Sequence, residues 1–273
     1  ARPRSIGSRR QFLQTSVVWV LLLVGCESCL KRSEVASVGE HPYPTCDGEA
    51  LPEGELLAEG VLLSGPLSRE RVIERYEIRH RGCVNVITIR QEWSRQVTDV
   101  EAIFDEDWNP IRVWKRMGIP GVPNPERFED TRSYEFRNEP ATMTELNAEG
   151  RTHRFFRGGQ PTALIGPGRM LLTAWIRATD LRVGETTRGN ILDVREIYER
   201  VDEVAIRRDP DRFEESLGRS VRVYTVFGRE SVFADESGLV IGDLSGLRRE
   251  EDLEGAAAPP IQVLDPPDPV NTP

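Results

Sequence analysis

Lysine is nearly missing from this 273-residue chain: of its 36 basic residues, only Lys31 and Lys115 are lysine. That imbalance reads as nucleotide-composition bias rather than as a guanidinium function. Basic blocks are missing as well. With 45 acidic residues and a formal net charge of −9, the chain lacks the footprint of a nucleic-acid binder. No apolar run reaches the roughly 18 residues that a membrane-spanning helix needs. Aromatics make up 7% and hydrophobic residues 38%, which is low but above the disordered extreme. One main domain of about 200 residues with a real core therefore fits. No G-x-S-x-G elbow, H-E-x-x-H, Walker loop or G-x-G-x-x-G is present, so no residue is marked as catalytic and no cofactor is implied.

What is present at the start is an address. Arg2, Arg4, Arg9 and Arg10 precede an apolar stretch that is densest from Val17 to Val24. Gly25-Cys26 follows, and the composition turns polar at Glu27-Ser28. A positive start, a short apolar middle and a small residue before a cut make an export signal over residues 1–25. Within it, Ser8-Arg9-Arg10-Gln11-Phe12-Leu13-Gln14 resembles the twin-arginine export motif, with Arg9, Arg10, Phe12 and Leu13 in place and Gln14 departing from it. Leu23-Val24-Gly25-Cys26 resembles the lipobox of bacterial lipoproteins. That resemblance implies that the Cys26 thiol takes a diacylglycerol and that the signal is cut before it. Two or more acyl chains hold a protein firmly on a membrane, at ~0.8 kcal/mol per buried CH₂. By the same resemblance, Glu27 in place of Asp favours the outer membrane over the cytoplasmic one. The twin-arginine likeness implies a protein that folds before it crosses.

Export places the remaining cysteines, Cys29, Cys46 and Cys83, in an oxidising compartment. Cys46 and Cys83 border the folded part, whereas Cys29 lies in the tether, so a Cys46–Cys83 disulfide is the expected pair. Free thiols remain an alternative. So does a metal site, because His41, Cys46, His80 and Cys83 are ligand types that zinc accepts, although the spacing is not a standard one. His153 stands alone among arginines and carries no assigned role.

The mature chain divides into a lipidated tether (26–52, with Pro42, Pro44 and Pro52), a β domain (53–248) and a Pro-rich disordered tail (249–273). Val72, Tyr76 and Ile78 alternate with Arg75, Glu77 and Arg79, which predicts a strand. Arg81-Gly82 turns it into the β-branched run Val84–Trp93. Further strands are expected at Val97–Phe104, Ile111–Met117, Arg132–Arg137, Thr142–Leu146 and Thr152–Phe156. In the second half they fall at Gly189–Val194, Glu196–Val201, Val204–Arg207, Val221–Phe227, Ser231–Ala234 and Leu239–Ile241. One helix is expected, Arg169–Arg177, with Pro167 suited to its start. It is apolar nearly all round and must be buried. The fold class is mainly β: an antiparallel curved sheet, half-barrel or sandwich-like, with one short buried helix across its concave side. Ile103-Phe104-Asp105-Glu106 and Val232-Phe233-Ala234-Asp235-Glu236 echo each other as two strand ends at acidic turns.

Candidate chemistry is sparse. Asp105-x-Asp107-x-Asn109 starts like a calcium loop, but Pro110 and Arg116 stand where Gly and Glu are required, and a hairpin turn explains it better. Glu214-Glu215 and Asp202-Glu203 read as solvated pairs. Trp93, Trp108 and Trp114 gather around one predicted hairpin and could stack on a sugar, with core packing as the simpler account. From about Ala163 to Asp243 the element order resembles curved-sheet envelope proteins of uncharacterised function and the half-barrel lipoprotein carriers, whose sheet wraps an apolar cavity closed by helices. The resemblance implies a non-enzymatic lipoprotein held to the membrane through Cys26, binding an apolar ligand or an envelope protein. Two alternatives stand beside it: a scaffold whose tail reaches a partner, and a hydrolase of envelope polymers with clustered carboxylates in a cleft.

Overall fold

The computed structural model describes Cys46 and residues 51–65, 71–119, 130–136, 141–147, 150–155, 160–195 and 201–254. The signal residues Arg9, Arg10, Phe12 and Leu13, the lipobox Cys26, and also Cys29 and His41 lie outside the described residues. So does most of the strand expected at Glu196–Val201.

The first half is a chain of hairpins: β1 (Glu55–Ser64), β2 (Ile73–Arg81), β3 (Val84–Glu92), β4 (Val97–Phe104), β5 (Pro110–Gly118), β6 (Asp130–Glu135), β7 (Thr142–Asn147) and β8 (Gly150–Phe155). A three-residue strand, β9 (Ala163–Ile165), leads to the helix α1 (Leu171–Thr179). The second half runs through β10 (Thr186–Asp193), β11 (Val201–Glu214), β12 (Arg219–Val226), β13 (Glu230–Ala234), β14 (Val240–Asp243) and β15 (Leu247–Arg249), and ends in α2 (Glu250–Glu254). All fifteen strands belong to one sheet, ordered β8 to β1 and then β15 to β9. Every pair is antiparallel except β9 with β10. The fold is thus mainly β with one large, mostly antiparallel open sheet.

The free edges are β8 and β9, which are neighbours in sequence. Laid flat, fifteen strands would hold those edges ~67 Å apart at a spacing of ~4.8 Å. The chain between them reaches at most ~28 Å. The sheet must therefore curl until its ends approach. Lys115 on β5 does reach the far end of the sheet, donating from Nζ to the Val194 carbonyl at 2.6 Å.

The period-two pattern decides what fills the curl. Ile87 and Ile89 on β3, Val100 and Ala102 on β4, Val113 on β5 and Tyr134 on β6 face inward and are fully buried. Leu171, Leu172, Trp175 and Ile176 of α1 are buried against them. Each such side chain contributes roughly 1.5–3 kcal/mol. The expected buried helix is present, shifted two residues along the chain. Pro167 lies before it rather than in its first turn, because the backbone at Arg169 and Met170 is held by a side chain from β2. Smaller apolar clusters sit on the outer face. One joins Val84, Val86, Ile103 and Ile111 to Leu51 and Cys83. The other joins Leu217, Val221, Val223, Phe233 and Ile241.

Four elements lie beyond the expected set. β1 carries Leu56-Leu57 and Leu62-Leu63 side by side and shifts register between Leu56 and Ala58, so it shows no clean alternation. β9 is too short to show a period. β15 and α2 carry regular structure to Glu254, past the expected boundary at residue 248, because Leu62↔Arg249 pairing gives β1 its second neighbour.

Candidate functional site

α1 has nine residues and so spans ~13 Å, while the nine-residue β3 and β5 span ~30 Å. The helix cannot fill the curled sheet from end to end. Its C-terminal part meets the β4–β5 turn, where Arg177 stacks over the Trp108 ring at 4.9 Å, and the β13–β14 turn, where Arg177 donates to Ser237 O. At its N-terminal end the space left over is a cavity of about 700 Å³. The cavity opens where β1, β3, β5 and β14 end and where β2, β4 and β15 begin.

Its wall is mixed. Val72, Trp93, Met117, Val194 and Leu247 supply apolar surface. Ser64, Gln91, Gln96, Thr98 and Ser245 supply neutral polar groups. Among the described residues, Lys115, Arg169 and Arg195 supply three cations, against one carboxylate, Asp243. Part of the inner face at this end is therefore polar by design of the register. Glu74 pairs across with Gln91, and Gln91 with Thr98, so one row of inward positions on β2, β3 and β4 carries no apolar side chain.

Glu74 anchors the floor. It lies on the inward phase of β2 with Tyr76 and Ile78 and is completely buried. Its carboxylate accepts the backbone N–H of Arg169 and of Met170, both at 2.9 Å, and the side-chain amide of Gln91 at 3.3 Å. A strand residue 95 positions away thus satisfies amides at the start of the helix that would otherwise be orphaned. Burial pushes the Glu74 carboxyl up to about 6, and the two amides, Gln91 and the Arg169 guanidinium hold it from rising further. Gln91 is fixed on both sides: it donates to Pro167 O and accepts from the Trp93 indole N–H. Gly168 makes this approach possible, since a Cβ there would lie 2.8 Å from Ile89 Cγ2 and 3.0 Å from Glu74 Oε1. Arg169 then spans the wall, donating from Nη1 to Glu230 and pairing through Nε with Asp243, each at 2.8 Å. Asp243 is itself held by the tight β14–β15 turn, accepting N–H from Ser245 at 2.9 Å and from Leu247 at 3.2 Å.

The residues singled out by sequence do not gather here. Cys46 and Cys83 are joined by a disulfide beside the β2–β3 turn, at the opposite end from the cavity. His80 faces Asn85, Nδ1 to Oδ1 at 3.1 Å. Among the described residues, no three His, Cys, Asp or Glu side chains are placed to hold a metal ion. The three tryptophans are separated rather than clustered. Trp93 lines the cavity, Trp108 packs on Phe104 at the far end, and Trp114 lies beside Arg116. The sheet register explains this: Trp114 pairs with Glu101 on the outward phase of β4 and β5, while Trp93 and Trp108 lie beyond opposite ends of the strands. Asp105 closes a hairpin turn, accepting Asn109 N–H at 2.8 Å. Asp235 does the same for Leu239 N–H at 3.0 Å, so the sequence echo marks two turns of like construction. Glu203 and Glu214 pair with Arg188 and Arg212, each at 2.7 Å, away from the cavity.

Sequence reasoning missed Glu74, Gln91, Lys115 and Arg169. A signal existed for three of them: each is a polar residue at the inward phase of a strand whose other inward positions are apolar. No protein-family model matches the chain, and no curated protein matches it. Two solved structures are similar. One is a DUF1089 family protein from Pseudomonas aeruginosa, 15% identical, covering 68% of this chain and 94% of that one, with a TM-score of 0.43. The other is a beta-barrel-like protein of DUF1849 from Brucella abortus, 13% identical, covering 70% and 85%, with a TM-score of 0.35. Neither name carries an activity.

Proposed function

We propose that this is an exported, lipid-anchored envelope protein whose barrel cavity binds a small, partly apolar molecule without transforming it. The observation that carries the binding half is the cavity itself, about 700 Å³ at one end of the curled sheet, a size that suits a small ligand. Its wall is more polar than the apolar pocket expected from sequence, so the ligand has a polar part. The anchoring half rests on residue order alone: Arg9-Arg10 before an apolar run that ends in Gly25-Cys26.

The hydrolase alternative finds less support. Among the described residues Asp243 is the one carboxylate lining the cavity, and it is committed to Arg169 and to its own turn. Glu74 is closed off by three donors and lies outside the lining. Elsewhere burial pushes Asp209 and Glu214 up, but hydrogen bonds from Thr225 and Arg207, and from Ser216 and Arg212, hold both below the ordinary carboxylate range. Such acids are poor proton donors near neutral pH.

Titration with the neutral dye N-phenyl-1-naphthylamine tests the binding half. Saturable enhancement at one site is expected, with at least about tenfold weaker binding in Val72→Trp and Thr98→Trp, which fill the cavity. Enhancement that does not saturate, or that both variants retain, would refute it. Palmitate labelling of cells tests the anchor: label should reach the protein and vanish in Cys26→Ser.

A further inference from the structure

We infer that the rim of the cavity rests on a lipid surface through three apolar tips, Trp93, Ile119 and Leu244. The contact is additional to the Cys26 anchor. It goes beyond ligand binding and rests on the anchored reading above.

Each tip is the first residue past a strand that ends beside the cavity: Trp93 after β3, Ile119 after β5 and Leu244 after β14. They are 38%, 52% and 57% exposed. Two of them are held by hydrogen bonds. Trp93 N–H donates to the Gln96 carbonyl at 2.8 Å, and its indole N–H donates to Gln91. Leu244 N–H donates to the Ser231 carbonyl at 3.0 Å, in the turn that Asp243 closes. Their exposure is therefore built into the turns that carry them.

Their spacing selects the occupant. From β5 through β3 to β14 the sheet order covers six strand spacings, ~29 Å along the wall. Polar residues stand beside the tips: Ser94, Arg95 and Gln96 follow Trp93, and Ser245 follows Leu244. A protein partner buries a contiguous patch with an apolar centre. Single tips around an opening do not make such a patch. A bilayer conforms to each tip separately, and tryptophan favours its interface.

The length of the tether supplies the rest. Cys46 stands 20 positions after Cys26, so the chain between them reaches at most ~70 Å. The Cys46–Cys83 disulfide lies at the end opposite the cavity, and the strands between the two ends are ~30 Å long. The tether is thus long enough for the domain to turn its mouth to the membrane that holds Cys26. Three short tips alone bind a bilayer weakly. Kept within a tether's length of it, they act at high effective concentration and need little affinity of their own. The cavity then opens onto lipid, with Trp93 common to the rim and the lining.

The test uses the full lipidated chain reconstituted in phosphatidylcholine vesicles, with or without a dibrominated phosphatidylcholine. Trp93 emission is the difference between the unaltered chain and Trp93→Phe. Bromolipid should quench that component at least about twofold, as for a ring seated at the boundary of headgroups and acyl chains. Ile119→Glu together with Leu244→Glu should abolish the quenching, because a charge at each tip opposes insertion. Neither residue lines the cavity, so dye binding should persist, and all three tips are exposed, so these variants keep the fold. Val183→Glu is the matched control: Val183 is 56% exposed in the loop after α1, at the opposite end, and this change should leave the quenching as it was. Equal Trp93 emission in both lipids, with full access to aqueous acrylamide, would overturn the rim contact while sparing the anchor and the ligand site. Trp93 shielded from acrylamide in a dimer without vesicles would assign the tips to a second copy and overturn it too. A chain that does not float with the vesicles would overturn the anchor and the contact together.

Discussion

Replacing Glu74 by Gln should change how stability depends on pH, more than it changes stability at any one pH. The folded protein raises this carboxyl from 4.5 to about 6, chiefly by burying it. Below pH ~4.5 the group is protonated in both the folded and the unfolded chain. Between there and pH ~6 the unfolded chain releases the proton first, so a group raised on folding stabilises at low pH and loses that contribution as the pH rises. The gap from 4.5 to about 6 is worth ~2 kcal/mol. Gln at this position keeps an acceptor for the Met170 amide but sets its own NH₂ against the Arg169 N–H and the Gln91 amide. That clash is a pH-independent offset. Urea unfolding of both proteins from about pH 4 to pH 8, followed by tryptophan emission, gives the difference directly. Relative to wild type, the Gln variant should gain ~2 kcal/mol across the window, or about 4–8 °C in Tm for a domain of this size. Two parallel stability curves would refute the reasoning, because Glu74 would then not titrate differently in the folded state.

Three further outcomes follow from contacts described above. Reducing the Cys46–Cys83 disulfide, or replacing both residues by Ser, should cost ~3–4 kcal/mol in the chain-entropy model for a bridge spanning 37 residues, read as a lower urea midpoint. Thr173→Val should cost about 1–3 kcal/mol, because Thr173 Oγ1 accepts the buried Val240 N–H at 3.1 Å, and Thr173→Ser should restore most of it in a thermal melt. Trp175→Ala should cost about 3–5 kcal/mol by opening a void between α1 and the sheet, measured by calorimetry.

The fold was legible where alternation was clean. Val84–Trp93 and Val97–Phe104 read as strands because both runs are rich in β-branched residues, and the observed β3 and β4 match them closely. β1 was not legible, since a bulge and paired leucines break its period. The helix was legible as a buried apolar segment, but its first residue was not, because Glu74 fixes the preceding amides from far away in the sequence. The candidate site was hidden for a related reason. An inward-facing Glu74 or Lys115 looks like any other charged strand residue until cross-strand register shows which face it occupies. The disulfide pairing rested on which cysteines bordered the domain, and local spacing contributed nothing to it.

The position of β15 beside β1 sets an order of events during synthesis. The first eight strands leave the ribosome as successive hairpins, and each can pair with the one before it at once. Their inward face has nothing to pack against until α1 has been made, and β1 lacks its second neighbour until Leu247–Arg249, the last strand of the sheet, appears. Closing that pair joins the most distant segments of the domain, which is the slow kind of contact to form. Until then β1 and the growing end of the sheet both present unpaired backbone, the usual template for wrong partners. A chain cut short before Leu247 would stay in that condition for good, and quality control by proteolysis would see a nearly complete protein as an unfinished one.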